Sequence, residues 1–372
     1  MALARLSRSW WLDQRDQLLG KSQFLRFAIR FPLTRPIARR RAARLFDLCA
    51  GFVYSQILVA CVRLRLVERL SNGPIDTPAL ANATGLSVED TRRLLRAAAA
   101  LELVAPRGGE RYGLGVLGSA LLGNPGLAAM IEHHSLLYAD LADPVALLRR
   151  DRPQTALSAY WPYSECDAPA ALTESAVRPY SALMSQSQTL IADDILAAYS
   201  FRRHQRLLDV GGGDGHFAAA VARRWPHLDV TVFDLPAVAD RARARFAREG
   251  SRAVAVGGDF AIDPIPGGAD IACLMRVAHD HDDDRLLVLL EAVRRALPAN
   301  GTLLVAEPMS GTRAGARVAD AYFGFYLLAM RSGRARTPAE LATLLGQAGF
   351  HRVRSISTRL SKLTRLVVAR AR

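Results

Sequence analysis

The sequence predicts an α/β protein: a doubly wound, mostly parallel sheet of seven strands, preceded by a smaller, mainly helical domain. Two observations carry this. From Gln205 onward short apolar runs alternate with amphipathic stretches, the pattern of strands joined by crossover helices. Before that point the chain reads helix, turn, helix and a small hairpin, the pattern of a winged helix. A length of 372 residues accommodates two cores of unequal size.

Taken in order, residues 1–44 form a basic arm. Ten arginines and Lys21 face only Asp13 and Asp16 there, in a chain of net charge +14. Trp10, Trp11, Phe24, Phe27 and Phe31 are interleaved with them. Such a mixture suits a segment lying on anionic lipid; a solvated arm packed on a partner subunit is the alternative, and nucleic acid a weaker third. Residues 45–125 are expected to be the winged-helix-like domain. Residues 45–70 read as a long helix with Phe46, Val53, Ile57, Ala60 and Leu64 near helical spacing. A short helix near Leu80–Ala83 follows, and Ser87 with Asp90 makes a capping-box-like start for a helix over Val88–Ala100. Residues 103–105 and 112–114, either side of Gly108-Gly109, read as the wing. The presumed recognition helix has three arginines beside two acids on a mostly small apolar background. That suits dimerisation rather than base reading.

Residues 126–200 are expected to be a helical linker and pocket region, broken at Pro144, Pro153 and Pro162, with Tyr138, Tyr160, Trp161, Tyr163 and Tyr180 as candidate lining. Residues 201–372 supply the sheet, from RLLDV through VTVFDL, AVAVGGDF, ADIACLMRV, GTLLVAEP and HRVRSIST to TRLVVARA. The four cysteines are far apart with no C-x-x-C pair, which points to a reducing compartment. The first residues have no apolar signal core, and the apolar run Ala50–Val62 is short for a membrane span. A cytoplasmic location is expected, peripheral to an inner or photosynthetic membrane if the arm binds lipid.

The chemistry concentrates at the strand ends. The first strand opens into Asp209-Val-Gly211-Gly212-Gly213-Asp-Gly215, without the G-x-G-x-x-G spacing of dinucleotide folds. The second closes on Asp234-Leu235, where a carboxylate can accept both hydroxyls of a ribose. The third ends in Gly258-Asp259-Phe260, where the acid can take an adenine amino group while the ring stacks. Three such motifs at consecutive strand ends point to S-adenosylmethionine as cofactor. The fourth strand leads to Arg276-Val-Ala-His279-Asp280-His281. A histidine beside that pocket can act as general base on a hydroxyl, oriented by Asp280 or another carboxylate. A metal is the lesser reading of the cluster, because adjacent residues converge poorly on one ion. Asp282–Asp284 read as a solvated helix start.

With these motifs in view, LLDVGGGDGHF, TVFDLP, VGGDF, RVAHDHDDD, LLVAEPM and RTPAELATLLGQAGF resemble the S-adenosylmethionine-dependent O-methyltransferases of the caffeate and hydroxyindole type. The resemblance implies a Rossmann-like catalytic domain behind a winged-helix dimerisation domain, and a homodimer. It makes His279 the catalytic histidine, Glu307 the glutamate that braces it and Arg276 a cofactor-binding arginine. Plant members carry a second bracing glutamate in G-K-E-R-T, and Ala335 stands at its place in Gly333-Arg-Ala335-Arg336-Thr337. FPLTRPIARRRAARLFDLCAGFVYSQ and RVAHDHDDD also resemble the bacterial hydroxycarotenoid O-methyltransferases, which implies a tertiary hydroxyl on a long apolar substrate. The run Tyr322–Met330 then reads as pocket lining or as a buried interface helix. Rival expectations are another lipophilic acceptor (a tetrapyrrole, a quinone or a polyketide phenol) and a winged-helix DNA-binding regulator.

Overall fold

The computed structural model describes residues 2–161, 169–312 and 315–372, and the chain divides into two compact units, Met1–Leu122 and Gly123–Arg372. In the first, the arm is helical, with Ala2–Leu19 and Ser22–Arg30 followed by a 29-residue helix, Arg35–Arg63. The boundary expected at residue 44 therefore falls inside a helix. Pro36 sits in that helix's first turn, where its missing N–H costs nothing, and the helix starts at Arg35 instead of the expected residue 45. By length and composition this helix is long and apolar enough to cross a membrane. Phe46 and Val53, two of the residues at helical spacing, are exposed together with Leu45, Leu48 and Phe52. Only the end of the helix joins the unit's core, where Cys61 packs with Leu66, Leu80, Leu95 and Val104.

Helices Thr77–Thr84 and Val88–Ala100 follow the sequence reading. The Ser87 hydroxyl accepts from the Asp90 amide at 3.0 Å, but Asp90 returns the contact to the Ser87 hydroxyl instead of the backbone. Strands β2 (Val104–Pro106) and β3 (Arg111–Leu114) form the wing, and β1 (Ile75–Asp76) adds a third strand on β3 that the sequence reading missed. Two residues are too few to show alternation.

The second unit begins with helices Pro125–Asp140, Pro144–Arg149, Ala156–Tyr160 and Glu174–Ala198. The sheet comprises β4 (Arg206–Val210), β5 (Asp229–Asp234), β6 (Val254–Gly257), β7 (Ile271–Met275), β8 (Thr302–Glu307), β9 (Phe350–Ser357) and β10 (Arg365–Ala371). Their order is β6-β5-β4-β7-β8-β10-β9, with β10 antiparallel to both neighbours and the other pairings parallel. Side chains alternate between two cores: Leu207 and Cys273 join one, Leu208, Ala272 and Leu274 the other. Both faces are covered, so the strands read as continuous apolar runs. The order reverses between β4 and β7, and a crevice must open there outside the carboxyl ends of the strands. A third cluster joins Leu137, Leu157 and Trp161 to Phe323, Tyr326 and Met330.

Candidate active site

At that crevice lies a pocket lined by the ends of β4, β5 and β7, the turns that follow them, and side chains from helix Pro125–Asp140 and the Tyr322–Tyr326 segment. Gly211, Gly213, Asp234, Leu235, Asp259, Phe260, Arg276, His279 and Asp280 all line it. Three predicted residues do not: Glu307, which stands against His279, and Asp209 and Gly212. Asp209 is fully buried beneath the loop, and Gly212 sits over it: a Cβ there would meet Asp209 Oδ2 at 2.6 Å. Both Asp209 oxygens lack a hydrogen-bond partner among the described residues. Burial, with the Asp234 charge beside it, pushes its carboxyl up to about 8, so Asp209 is held neutral at neutral pH. Asp209 lies beneath the loop, outside the pocket lining. It lies one residue before the end of β4, and the sequence cannot separate an acid that points into the crevice from one that points under it.

The glycine loop follows from backbone geometry. Gly211 has φ +68° and Gly213 φ +61°, a region where an L side chain is strained. A Cβ on Gly211 would strike Val277 Cγ2 at 2.7 Å, whereas one on Gly213 would project into open space. The Gly213 amide donates to Asp234 Oδ2 at 2.8 Å and the Leu235 amide to Oδ1 at 2.7 Å, which fixes that carboxylate at the end of β5. Burial pushes it up to about 6 despite these two donors. Asp259 is buried and accepts from the Ala261 amide at 2.9 Å. The Phe260 ring stands edge-on to His281 at 5.4 Å, with the Arg285 guanidinium 5.6 Å from its centroid.

This cradle fits an adenosyl group. Two acceptor carboxylates stand at consecutive strand ends, a flat aromatic ring is beside them, and the loop has room where Gly213 lacks a side chain. Asp214, which the sequence reading passed over, lines the same pocket and is ion-paired to Arg245 at 2.6 Å. That pair ties the loop to helix Pro236–Glu249; a second acid in the loop motif was the available signal.

His279 sits on the short turn Ala278–Asp280 after β7 and is 5% exposed. Its Nδ1 is hydrogen-bonded to Glu307 Oε2. The other Glu307 oxygen accepts from the Val277 and Ala278 amides at 3.0 and 2.7 Å, so one carboxylate at the end of β8 fixes both ring and turn. Nε2 is left toward Asp280, 3.2 Å from its Oδ1. Burial opposes a charged imidazole, but Asp280 and Glu307 outweigh it and raise the His279 pKa above its ordinary value. Burial also raises Asp280, to about 6. His281 is driven the other way, down to about 3, by burial with Arg285 nearby, and remains neutral.

Two further features were not visible beforehand. Arg276 has φ +61°, an uncommon conformation for a long side chain, and its guanidinium stands 5.7 Å from the Phe323 centroid. Arg336 is 5% exposed and donates to the carbonyls of Ala278 and His281, each at 2.7 Å, and to Asp283 at 2.8 Å. The Ser332 hydroxyl donates to the Asp280 carbonyl at 2.7 Å. The segment around Ala335 therefore grips the Ala278–Asp280 turn by its backbone. Asp283, expected to be merely solvated, is paired with both Arg334 and Arg336. Among the described residues no three His, Cys, Asp or Glu side chains are arranged to hold a metal.

The pocket lining also carries Met130, Trp161, Met184, Tyr322, Phe323 and Tyr326. Tyr322 and Phe323 arrive on a π-helical turn, Arg317–Phe323, that continues into helix Gly324–Met330. Such turns recur at functional sites. Tyr326 and Tyr322 share hydrogen bonds with His133 and His134 at 2.9 and 2.8 Å. The beginning of the Tyr322–Met330 run thus faces the pocket, and its later residues are core. Tyr138 and Tyr160 are absent from the lining; Tyr163 and the Tyr180 side chain lie outside the described residues.

A family model described as an O-methyltransferase domain matches residues 138–351, and an O-methyltransferase dimerisation domain matches residues 46–124. The chain belongs to the O-methyltransferase family. It is 44% identical to the demethylspheroidene O-methyltransferase of Cereibacter sphaeroides, over 91% of this chain and 89% of that one. It is 32% identical to an acetylserotonin O-methyltransferase of Mus musculus molossinus, over 83% of this chain and 84% of the relative. Human N-acetylserotonin methyltransferase in complex with SAM superposes with a TM-score of 0.76 at 27% identity, covering 89% of this chain and 97% of that structure. This O-methyltransferase uses S-adenosylmethionine, and its dimerisation domain makes a second copy of the chain its partner. The exposed apolar side of helix Arg35–Arg63 falls partly within that domain, at Phe46, Leu48 and Phe52.

Proposed function

We propose that this O-methyltransferase methylates the tertiary hydroxyl of a hydroxycarotenoid, as the name of the Cereibacter relative suggests. The observation that carries the proposal is a histidine locked between two carboxylates at the base of a pocket whose other wall is aromatic and methionine-rich. Such a wall suits a long apolar acceptor whose only polar group is the reacting hydroxyl.

Asp234 and Asp259 would hold the adenosyl group, with Phe260 against its base, and Arg276 would face its charged end. When bound there, the cofactor supplies an activated methyl group on a sulfonium. His279 Nε2 takes the proton of the acceptor hydroxyl as its oxygen becomes nucleophilic. Glu307 fixes the tautomer through Nδ1, and Glu307 and Asp280 stabilise the imidazolium that results. The apolar wall aligns the acceptor; alignment of this kind can contribute about 7 kcal/mol or more, and base catalysis about 10²–10⁴-fold.

The basic arm belongs to the same reading. Trp10, Trp11, Phe27 and Leu33 are more than half exposed on its helices and linkers, a composition suited to contact with the anionic surface of a membrane that dissolves such an acceptor. Incubating the purified chain with methyl-labelled cofactor and a panel of hydroxycarotenoids, phenols and tetrapyrroles tests the proposal. Label on the carotenoid hydroxyl supports it. Label on a phenol or tetrapyrrole, with the carotenoid untouched, moves the assignment to that acceptor.

A further inference from the structure

A second cleft, of about 1020 Å³, lies at the amino ends of β4, β7 and β8, opposite the strand ends that carry the cofactor motifs. Arg202, Arg203, Arg354 and Arg370 line it, and among the described residues none of the four has a carboxylate partner. Arg370 is steered by the Thr302 hydroxyl at 2.6 Å and the Asn300 carbonyl at 3.1 Å, both neutral groups. The acid in the cleft, Asp270, is already committed: it accepts from the Gln205 and Arg206 amides at 2.9 and 2.7 Å and from the His204 ring at 2.5 Å. Burial would raise its carboxyl, yet these donors hold it below the ordinary range, so it stays charged and satisfied without drawing on the arginines. Behind it the Tyr199 hydroxyl is hydrogen-bonded to His204 Nε2 at 3.0 Å, completing an ordered Tyr–His–Asp wall.

Four uncompensated guanidinium groups around a cleft with one ordered polar wall call for an anion. Guanidinium forks match phosphate oxygens two at a time, and several around one cavity favour a doubly charged group over a single carboxylate. The cleft is also far larger than inorganic phosphate needs. We propose that it binds a phosphate monoester group borne by a larger molecule, either a soluble phosphorylated metabolite or the headgroup of an anionic lipid. This site is separate from the methyl-transfer pocket and does not depend on which acceptor that pocket takes.

The test uses the full chain saturated with S-adenosylhomocysteine, so that the cofactor pocket is filled. Glycerol 3-phosphate is titrated by calorimetry, and sedimentation is measured with phosphatidylcholine vesicles with and without phosphatidic acid. The comparison is Arg203→Gln/Arg354→Gln, two exposed positions, with the arm variant Trp10→Ala/Trp11→Ala as a separate control for vesicle binding. A soluble ligand gives saturable glycerol 3-phosphate binding that weakens about tenfold or more in the arginine variant. A lipid ligand gives phosphatidic-acid-dependent sedimentation that drops by a similar factor in the arginine variant, beyond any loss in the arm variant. Methyl transfer to a soluble acceptor remains unchanged in both variants. If neither phosphate probe binds, or if the arginine variant matches the wild type with both, the proposal is overturned.

Discussion

His279 is held by carboxylates on both ring edges, and that geometry sets its pH response. With its pKa raised, the neutral base appears only above the ordinary histidine value, so turnover climbs with pH through a midpoint above about 6.5. Glu307→Gln keeps an acceptor for the Val277 and Ala278 amides but removes a charge that raises His279. Turnover should fall by about 10²-fold and the acid limb move to lower pH in a pH–rate profile. Arg336→Gln should release the carbonyls of Ala278 and His281 and leave them partly unsatisfied. A loss of about 2–3 kcal/mol in denaturant unfolding is expected, with turnover reduced more than S-adenosylhomocysteine affinity and partly rescued by Arg336→Lys. Asp209 makes a prediction of opposite sign. Its carboxyl is raised in the fold, so the native state resists ionising it, and stability is lost as pH rises from about 4 to about 8. In Asp209→Asn that loss disappears, and the melting-temperature advantage of the variant grows across this window.

At the scale of elements, the glycine loop and the π-helical turn define the two sides of the pocket. Gly211→Ala combines a left-handed backbone with a clash against Val277; it should cost about 1–2 kcal/mol in conformation alone and weaken S-adenosylhomocysteine binding in calorimetry. The loop was legible because a left-handed backbone calls for glycine, and the strands because buried parallel strands read as apolar runs. The extent of helix Arg35–Arg63 was less legible, since its exposed apolar residues belong to a surface that covers nothing within its own unit. Arg336 was invisible for a different reason: it acts on backbone carbonyls 55 and 58 residues away, and such partners leave no side-chain motif. The depth of Asp209 was hidden likewise, because position along a strand end does not reveal on which side of the loop a carboxylate sits.

Across the whole molecule, fold and cofactor class were readable because three strand-end motifs and the strand order all point to one crevice. The acceptor was not readable from physics alone, since an aromatic wall fits many lipophilic molecules. The buried histidines give stability a pH dependence opposite to that of Asp209. His133 and His281 are lowered by burial to about 4 and about 3, so the unfolded chain takes up protons that the native state refuses. The contribution of these two histidines therefore falls as pH drops from about 6.5 toward 4, opposite in sign to that of Asp209, and thermal unfolding at stepped pH of wild type against His133→Asn isolates it. The central claim is that His279 removes the acceptor proton while other groups hold the cofactor. The most direct measurement pairs single-turnover methyl transfer to a hydroxycarotenoid with calorimetric S-adenosylhomocysteine binding, in wild type and His279→Ala. The account predicts a rate lower by about 10²–10⁴-fold with cofactor affinity retained. A variant that transfers at the wild-type rate, or one that loses cofactor affinity in parallel with rate, would contradict it.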